Sequence, residues 1–260
     1  MMASSKELKL RSPLKKLIIK IFDIFGYELK RKNNFNDRWG NYIAELNENR
    51  KKQIKYFQKI TLASELNLWS IYQCLNYIKN ENIEGDIVEC GVYNGNTMAF
   101  IGEINDELNL DKKIWGYDTF DGFVENSFTD TDIDLKTGKK VNYDSSNIYY
   151  SLNEVKKNIM QNNHKNFQKY IFVEGDILET LNIKDNIPNK ISFLRLDTDI
   201  YKTTKKQLEI LYERLVPGGV LHIDDYGLCP GVKTAIDNFF SNENIWLHRV
   251  DMTCRYLIKK

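Results

Sequence analysis

The feature that most constrains the fold of this chain is a regular alternation of strand-like and helical runs after residue 85. Short runs rich in β-branched and aromatic residues are separated by longer runs with helical periodicity, as in successive βαβ units. Parallel strands need a crossover of a dozen or more residues, and each helical run supplies one. The strand-like runs are residues 86–92, 113–120, 170–176, 192–197 and 220–224, and the helical runs are residues 97–108, 148–161, 201–215 and 231–240.

Two further strand-like runs close the chain, at residues 245–251 and 255–258, with three residues between them. So short a link joins antiparallel neighbours, because a parallel return requires a long crossover. The chain has 260 residues, of which 42% are hydrophobic, and this is enough for one substantial core. We therefore predict an α/β fold with a doubly wound, mostly parallel, seven-stranded sheet and a C-terminal antiparallel hairpin.

The N-terminal part of the chain differs from the rest, because its apolar residues follow helical spacing without strand-like runs. We expect residues 1–80 to be a helical extension and residues 81–260 to be the sheet domain. Within the extension, residues 39–80 should form helices that cover one edge of the core. Residues 14–25 predict an amphipathic helix with lysines beside an apolar stripe. The stripe consists of Leu14, Leu17, Ile18, Ile21, Phe22 and Phe25.

The predicted helix at residues 14–25 is too short, and too often interrupted by lysine, to cross a bilayer. Two interpretations of it are open. The helix packs on its own domain or on a second copy of the chain, which favours a homodimer, or it lies on a membrane surface. We expect a cytoplasmic protein, and the second interpretation adds a peripheral contact with the inner face of the membrane.

The charge of the chain indicates which partners it can have, and its cysteines indicate the redox environment. Lysine and arginine total 37 against 36 aspartate and glutamate residues, so the net charge of +1 gives no reason to expect nucleic acid. The histidines form no metal-binding pair, and His222 falls within a predicted strand, where we expect a structural role. The cysteines lie far apart, as is typical of reduced thiols in the cytoplasm, and are Cys74, Cys90, Cys229 and Cys254.

A glycine-containing turn follows the first predicted strand and leads into a helix. Gly91 and Gly95 permit positive φ angles and a close approach of the backbone to a ligand. Asn96 or Thr97 is the expected cap of the helix. Glu89 precedes the first glycine by two residues, where a carboxylate repels a pyrophosphate but suits a cationic or hydroxyl-rich ligand.

Acidic residues at the ends of the next two strands extend this site. Asp118 lies about twenty residues beyond the glycine turn, where a carboxylate commonly accepts hydrogen bonds from ribose hydroxyls. Asp176 and Ile177 follow the third strand, where a base edge is commonly held. Ligands of doubly wound sheets bind at the carboxyl ends of the strands. The three strand ends together predict a nucleoside site.

A second acidic cluster is expected at the ends of the fourth and fifth strands. Asp197, Asp224 and Asp225 would repel one another there unless a cation or protons held them together. Carboxylate oxygens are the ligands that a hard divalent ion prefers, and magnesium is the ion we expect. Asp199 has two possible roles, as a further ligand or as the N-cap of the helix that begins near Tyr201.

Residues 121–147 form a polar connection that is long for a compact domain, and we interpret it as an acceptor or lid loop. The loop contains three alternating aspartates, Asp130, Asp132 and Asp134. They mimic the start of a calcium loop, but the sixth and twelfth positions are Leu135 and Val141 instead of glycine and glutamate. The sequence therefore does not predict calcium binding.

Six motifs follow one another along the chain: ECGVYNG (89–95), YDTFDGF (117–123), FVEGD (172–176), LRLDTDIY (194–201), LVPGG (215–219) and IDDYG (223–227). In order and spacing they resemble the S-adenosylmethionine-dependent O-methyltransferases of the macrocin and mycinamicin (TylF/MycF) type. The resemblance covers roughly residues 82 to 258, and the acidic motifs are far more specific than the glycine turn.

The resemblance implies a class I methyltransferase fold, bound S-adenosylmethionine, and methylation of a sugar-type hydroxyl. It also implies a magnesium ion held by Asp197, Asp224 and Asp225, with Asp197 as the catalytic proton acceptor. Glu89 and Gly91 would border the methionine part, Asp118 the ribose, and Asp176 the adenine. The complete set of expected cofactor-binding residues is Glu89, Gly91, Tyr93, Asn94, Gly95, Thr97, Asp118, Thr119, Phe120, Gly175, Asp176 and Ile177.

Other functions stay open at this point. A nicotinamide-dependent dehydrogenase shares the expected fold, but it has no reason to gather three carboxylates at one edge. A non-enzymatic protein that binds a nucleoside and docks on a membrane through residues 14–25 is the second alternative. The acceptor is a small molecule or a glycan: a nucleotide sugar, a lipid-linked glycan, a secondary-metabolite sugar or a phosphorylated small molecule.

Overall fold

The computed structural model describes residues 43–124, 127–133, 135, 138–141, 149–163 and 166–260. The predicted amphipathic helix at residues 14–25 lies outside the described residues. One compact unit extends from Glu45 to Lys260. Among the described helices, none combines the length and the apolar character that a membrane span requires.

Seven strands form one sheet, in the order β3-β2-β1-β4-β5-β7-β6. The first five strands pair in parallel, whereas β7 is antiparallel to both β5 and β6. The predicted mostly parallel, seven-stranded sheet with a C-terminal hairpin is therefore confirmed. The strands are β1 (Asp86–Cys90), β2 (Ile114–Asp118), β3 (Tyr170–Glu174), β4 (Ile191–Leu196), β5 (Leu215–Ile223), β6 (His248–Arg249) and β7 (Arg255–Ile258).

Helices connect the strands and cover both faces of the sheet. The helices in the described part of the chain are α1 (Glu48–Gln58), α2 (Glu65–Asn80), α3 (Asn96–Glu107), α4 (Leu152–Asn162), α5 (Ile177–Thr180), α6 (Tyr201–Arg214) and α7 (Pro230–Phe239). Alternate residues of a strand face opposite sides of a sheet. Accordingly, Ile87 and Phe193 belong to the core beneath α1 to α4, and Val88 and Leu194 to the core beneath α6 and α7.

The start of α3 differs from the sequence prediction. Its N-cap is Gly95, which has a φ of 80° and makes no side-chain capping bond, so the predicted caps Asn96 and Thr97 are helical residues. The side chain of Asn94 takes over part of the capping role, because its Oδ1 accepts a hydrogen bond of 3.0 Å from the Asn96 N–H. A glycine is favoured as the cap because few other residues adopt this positive φ.

Candidate active site

The candidate site lies at the carboxyl ends of the parallel strands, where the strand order reverses between β1 and β4. Gly91 follows β1, and its φ of +86° favours glycine. A Cβ atom on Gly91 would lie 1.8 Å from the carbonyl oxygen of Asp197, which follows β4. Glycine is thus required at position 91 because two strand ends pack closely there. The sequence had suggested a different reason, a close approach of the backbone to a ligand. The contact between Gly91 and Asp197 joins the glycine turn to the acidic cluster.

Asp118 organises the turns that follow β1 and β2. Its Oδ2 accepts hydrogen bonds from the N–H groups of Val92 (2.7 Å) and Tyr93 (3.0 Å), and its Oδ1 accepts one from Phe120 (2.9 Å). Tyr93 and Phe120 both have positive φ angles, of 50° and 54°. The carboxylate therefore holds two strained turns in place, while its residue stays partly exposed.

The end of β3 lies beside these turns. The Gly175 N–H donates to the Asp118 carbonyl at 2.9 Å, and Gly175 has a φ of +129°. Asp176 is the N-cap of α5, because its Oδ1 accepts the Leu178 N–H at 2.9 Å. Gly175 and Asp176 are partly exposed, whereas Ile177 is buried.

The structure gathers almost all of the predicted cofactor-binding residues at three adjacent strand ends. Phe120 and Gly95 are buried, and the partly exposed members are Gly91, Tyr93, Asn94, Thr97, Asp118, Thr119, Gly175 and Asp176. The loop before α2 adjoins this group, because the amide groups of Asn94 and Asn96 donate to the Ile60 carbonyl at 2.8 and 2.9 Å. Partly exposed turns at neighbouring strand ends fit an extended nucleoside-containing cofactor.

A buried arginine that sequence reasoning missed lies at the centre of the site. Arg195 is 1% exposed on β4. Its Nη1 donates to Glu89 Oε1 at 3.0 Å and to Asp197 Oδ2, and its Nη2 donates to Asp224 Oδ2 at 2.5 Å. Burial opposes its charge, but Asp197, Asp224 and Glu89 together raise the pKa of the guanidinium above its usual range. One available signal was a charged residue inside a strand with no other charge, since a buried charge needs partners.

Glu89 does not line the site as predicted. Its side chain is fully buried and bonds to Arg195, so its carboxylate reaches no open surface where a ligand could contact it. Its Oε2 has no hydrogen-bond partner among the described residues. Burial raises the pKa of Glu89 to about 8. The predicted contact between Glu89 and the methionine part of the cofactor is therefore corrected, because the side chain is enclosed within the sheet and bonds to Arg195 through Oε1.

The predicted acidic cluster is present. One carboxylate oxygen from each of Asp197, Asp224 and Asp225 lies within 4.8 Å of the others. Burial raises the pKa of Asp197 to about 6, although Arg195 opposes the shift, and burial also raises the pKa of Asp225. Arg195 thus supplies part of the positive charge that the sequence analysis assigned to a cation or to protons. The donor set consists entirely of carboxylate oxygens and fits a hard divalent cation.

Asp224 accepts hydrogen bonds from three side chains, each at least 29 positions away in sequence. Besides the bond to Arg195, its Oδ1 accepts from the Asn67 amide at 3.0 Å and from the Thr253 hydroxyl at 3.3 Å. Asn67 is 2% exposed on α2. Ser64, the N-cap of α2, also bonds to the Asp251 carboxylate at 2.5 Å. Helix α2, predicted only to cover an edge of the core, therefore contributes directly to the site.

The capping role considered for Asp199 is wrong. The N-cap of α6 is Ile200, which makes no side-chain capping bond, and Asp199 has a φ of 63°. The Tyr201 N–H instead donates to Asp132 Oδ1 at 2.8 Å. A carboxylate oxygen of Asp199 lies within 4.8 Å of ligand atoms of Asp225 and Cys229. Asp199 therefore belongs to the acidic cluster, and the loop aspartate Asp132 takes its place at the helix.

His222 has the structural role predicted for it. It is fully buried on β5, and its Nε2 lies 2.9 Å from the Ser70 hydroxyl. Burial and the nearby Arg195 together lower the pKa of His222 to about 3, so the ring is neutral. His248 lies on β6, the outermost strand, against the ring of Tyr256. Neither histidine is placed to accept a proton at the acidic cluster.

The strand order and the placement of the site define a class I methyltransferase of the Rossmann-like type. A model of the macrocin O-methyltransferase (TylF) family matches residues 31–259. The chain therefore belongs to this family, whose members are S-adenosylmethionine-dependent O-methyltransferases.

Individual relatives agree with this assignment. The chain is 27% identical over 232 residues to the demethyldecarbamoylnovobiocin O-methyltransferase of Streptomyces niveus, covering 86% of this chain and 83% of the relative. It is 25% identical over 174 residues to an 8-demethyl-8-(2,3-dimethoxy-alpha-L-rhamnosyl)-tetracenomycin-C 4'-O-methyltransferase of Streptomyces olivaceus, covering 65% of this chain and 63% of the relative. The solved structure of the O-methyltransferase NovP superposes with a TM-score of 0.69 at 25% identity, covering 77% of this chain and 82% of that structure.

Proposed function

We propose that this enzyme methylates a hydroxyl group on the sugar of a small molecule, with Asp197 as the proton acceptor. The observation that carries the proposal is the contact between the two halves of the site. Gly91 of the cofactor turn packs directly on the backbone of Asp197, whose carboxylate belongs to the acidic cluster. A methyl donor on the turn and a hydroxyl at the cluster would thus be neighbours. The printed names of the relatives, one of which includes a rhamnosyl group, support a sugar as the acceptor.

The cofactor half of the site positions the methyl donor. S-Adenosylmethionine, when bound, supplies an activated methyl group on a sulfonium. The turn from Gly91 to Gly95 would adjoin the methionine part, and the partly exposed Asp118, which holds this turn through three N–H groups, would adjoin the ribose. Asp176 and Ile177 would adjoin the adenine. These contacts would orient the donor toward the acidic cluster, and orientation of reactants is a large part of catalysis.

Asp197 is the group best placed to take the proton from the acceptor hydroxyl. About a quarter of its side chain, 27%, is exposed, whereas Arg195 beside it is enclosed. With a pKa of about 6, the carboxylate is mostly ionised at neutral pH, yet more basic than an ordinary aspartate. Arg195 fixes one of its oxygens. Its carboxylate also lies beside those of Asp224 and Asp225.

Asp197, Asp224 and Asp225 would also hold a magnesium ion. When bound, the ion supplies a positive charge that favours the alkoxide form of the hydroxyl. Arg195 and Asn67 orient Asp224 for this role, because each bonds to a different oxygen of its carboxylate. The requirement for deprotonated ligands makes ion binding weaker at low pH.

One experiment tests both parts of the proposal. The purified protein is incubated with S-adenosylmethionine labelled in its methyl group and with fractions of a cell extract, in excess chelator and again after magnesium is restored. We expect label in a sugar-containing product only when magnesium is present. Calorimetric titration should show that cofactor binding itself survives chelation. Full transfer in excess chelator contradicts the metal role, and label in a product without a sugar contradicts the acceptor class.

A further inference from the structure

Asp132 lies in the long polar loop, and the proposed chemistry does not yet use it. It is 3% exposed, although the loop around it is largely on the surface. Both of its carboxylate oxygens are engaged. Oδ2 accepts from the Thr129 N–H at 2.7 Å and from the Thr129 hydroxyl at 2.9 Å, and Oδ1 accepts from the Tyr201 N–H at 2.8 Å. A buried carboxylate with three donors is a strong local anchor.

The anchor joins the loop to two helices at once. Tyr201 is the first residue of α6, where a negative charge is favourable because the N-terminal N–H groups are unpaired. A Cβ atom on Gly231, in the first turn of α7, would lie 1.9 Å from Asp132 Oδ1. The carboxylate therefore fills the space between the starts of α6 and α7, and Gly231 leaves room for it.

These two helix starts follow the acidic cluster along the chain. Tyr201 comes four positions after Asp197, and Gly231 comes six positions after Asp225. Cys229, which precedes Gly231 by two positions, has its thiol within 4.8 Å of a carboxylate oxygen of Asp225. The segment that carries Asp132 is therefore fastened at the rim of the cluster where the acceptor hydroxyl would bind.

The loop has its own internal order around this point. The Val141 N–H donates to the Asp132 carbonyl at 2.7 Å, and Ile133 and Lys140 form an antiparallel bridge. The rings of Phe123 and Phe128 pack with centroids 5.8 Å apart. These contacts give the described residues around Asp132 a defined arrangement, which the bonds of Asp132 fasten to the helices.

We infer that Asp132 is a positioning residue of the acceptor site, which fastens loop residues 127–133 to the starts of α6 and α7 so that they form one wall of that site. The inference rests on the proposed function for the identity of the site. The contacts of Asp132 stand independently of that function. Asp132 thus has a packing role rather than a metal-binding one.

The loop supplies a matched control. Asp130 lies two residues away, and its side chain is fully exposed, with a single ion pair of 3.3 Å to Lys140. Asp132→Asn and Asp130→Asn remove the same charge from the same loop. Only the first places an amide NH2 group against the Thr129 donors or the Tyr201 N–H. Differences between the two variants therefore report the anchor rather than the charge of the loop.

Limited trypsin digestion of the full-length protein with S-adenosylmethionine bound measures the order of the loop. We expect cleavage after Lys139 to be about tenfold faster in Asp132→Asn, as for loss of a hydrogen bond to a charged group, and unchanged in Asp130→Asn. Cleavage after Lys140 is left out of the comparison, because Lys140 itself pairs with Asp130. Equal cleavage in the two variants overturns the inference. Gly231→Ala should also accelerate cleavage, because its methyl group would displace the Asp132 carboxylate from the starts of α6 and α7. In protein that already carries Asp132→Ala, Gly231→Ala should change the cleavage rate little, because the carboxylate it would clash with is absent.

The acceptor role is measured with the extract fraction that takes up the labelled methyl group. In Asp132→Asn the apparent KM for that fraction should rise about tenfold, while the affinity for S-adenosylmethionine and the kcat stay near those of the parent. If cleavage is faster but the KM is unchanged, the inference that residues 127–133 form a wall of the acceptor site is wrong. If no extract fraction is methylated, the proposed function fails by itself, and the cleavage comparison still decides whether Asp132 anchors the loop.

Discussion

Arg195 and Glu89 form a hydrogen bond of 3.0 Å inside the sheet, with side chains that are 2% and 0% exposed. They lie on neighbouring strands, β4 and β1, and are paired in register. The same guanidinium contacts Asp197 and Asp224. One buried cation therefore connects the strand that leads to the glycine turn with the carboxylates of the acidic cluster.

Removal of this cation should destabilise the protein strongly. Arg195→Met leaves buried carboxyl groups without their partner, and we expect the free energy of unfolding to fall by about 3 to 5 kcal/mol. Urea unfolding measures the loss. Lys190→Met is the control, because Lys190 pairs with Glu84 at the surface at a distance of 2.6 Å, and surface pairs contribute little. Equal losses in the two variants would show that burial of Arg195 is not decisive.

Glu89 should make the stability of the protein depend on pH. Because burial raises its pKa from 4.5 to about 8, the folded protein retains a proton that the unfolded chain releases. Its contribution is largest below pH 4.5 and is lost as the pH rises to about 8, at up to about 1.4 kcal/mol per pH unit. In Glu89→Gln the fall in Tm between pH 6.5 and 8 should become smaller. His222 also titrates near pH 6.5 in the unfolded chain, but it is present in both proteins, so its effect cancels in the comparison. An identical slope in the two proteins contradicts the raised pKa.

Substitution of Asp118 should weaken cofactor binding, because its carboxylate holds the turns that would contact the cofactor. Asp118→Ala removes the acceptor for the Val92, Tyr93 and Phe120 N–H groups. We expect the affinity for S-adenosylmethionine to fall by about 1.5 to 3 kcal/mol, as for loss of a charged hydrogen-bond partner. Calorimetric titration measures the affinity. A urea unfolding curve of the same variant measures how much stability is lost when the turns lose the Asp118 carboxylate. Unchanged affinity in a folded variant rules out the role.

Asp197→Asn should abolish most of the methyl transfer while the cofactor still binds. The amide keeps the size of the side chain but accepts no proton and ligates a cation poorly. We expect a rate loss of at least about a hundredfold, near 3 kcal/mol of transition-state stabilisation. At limiting magnesium the rate of the parent enzyme should fall as the pH drops through about 6, because a proton on Asp197 competes with the ion in the metal-free protein. A variant that stays active, or a rate that is flat across this pH, contradicts the assignment.

The sequence by itself determined the fold and the position of the site. Alternating strand-like and helical runs allow few arrangements, because parallel strands need helical crossovers and the short C-terminal link needs an antiparallel pair. Residues that end parallel strands meet at one edge of a sheet. The positions of Asp118, Asp176, Asp197 and Asp224 in their runs were therefore sufficient to predict that edge.

The tertiary structure alone decided which groups are paired. Asn67 and Asp224 are 157 residues apart, and Asp132 and Tyr201 are 69 apart, yet each pair shares a hydrogen bond. Local periodicity contains no information about such contacts, which depend on how elements pack.

The tertiary structure also decided the surroundings of Arg195, whose charge is tolerated inside β4 only because Glu89, Asp197 and Asp224 surround it. Burial and long-range pairing set the charge of each carboxyl group, and neither is visible before the chain has folded.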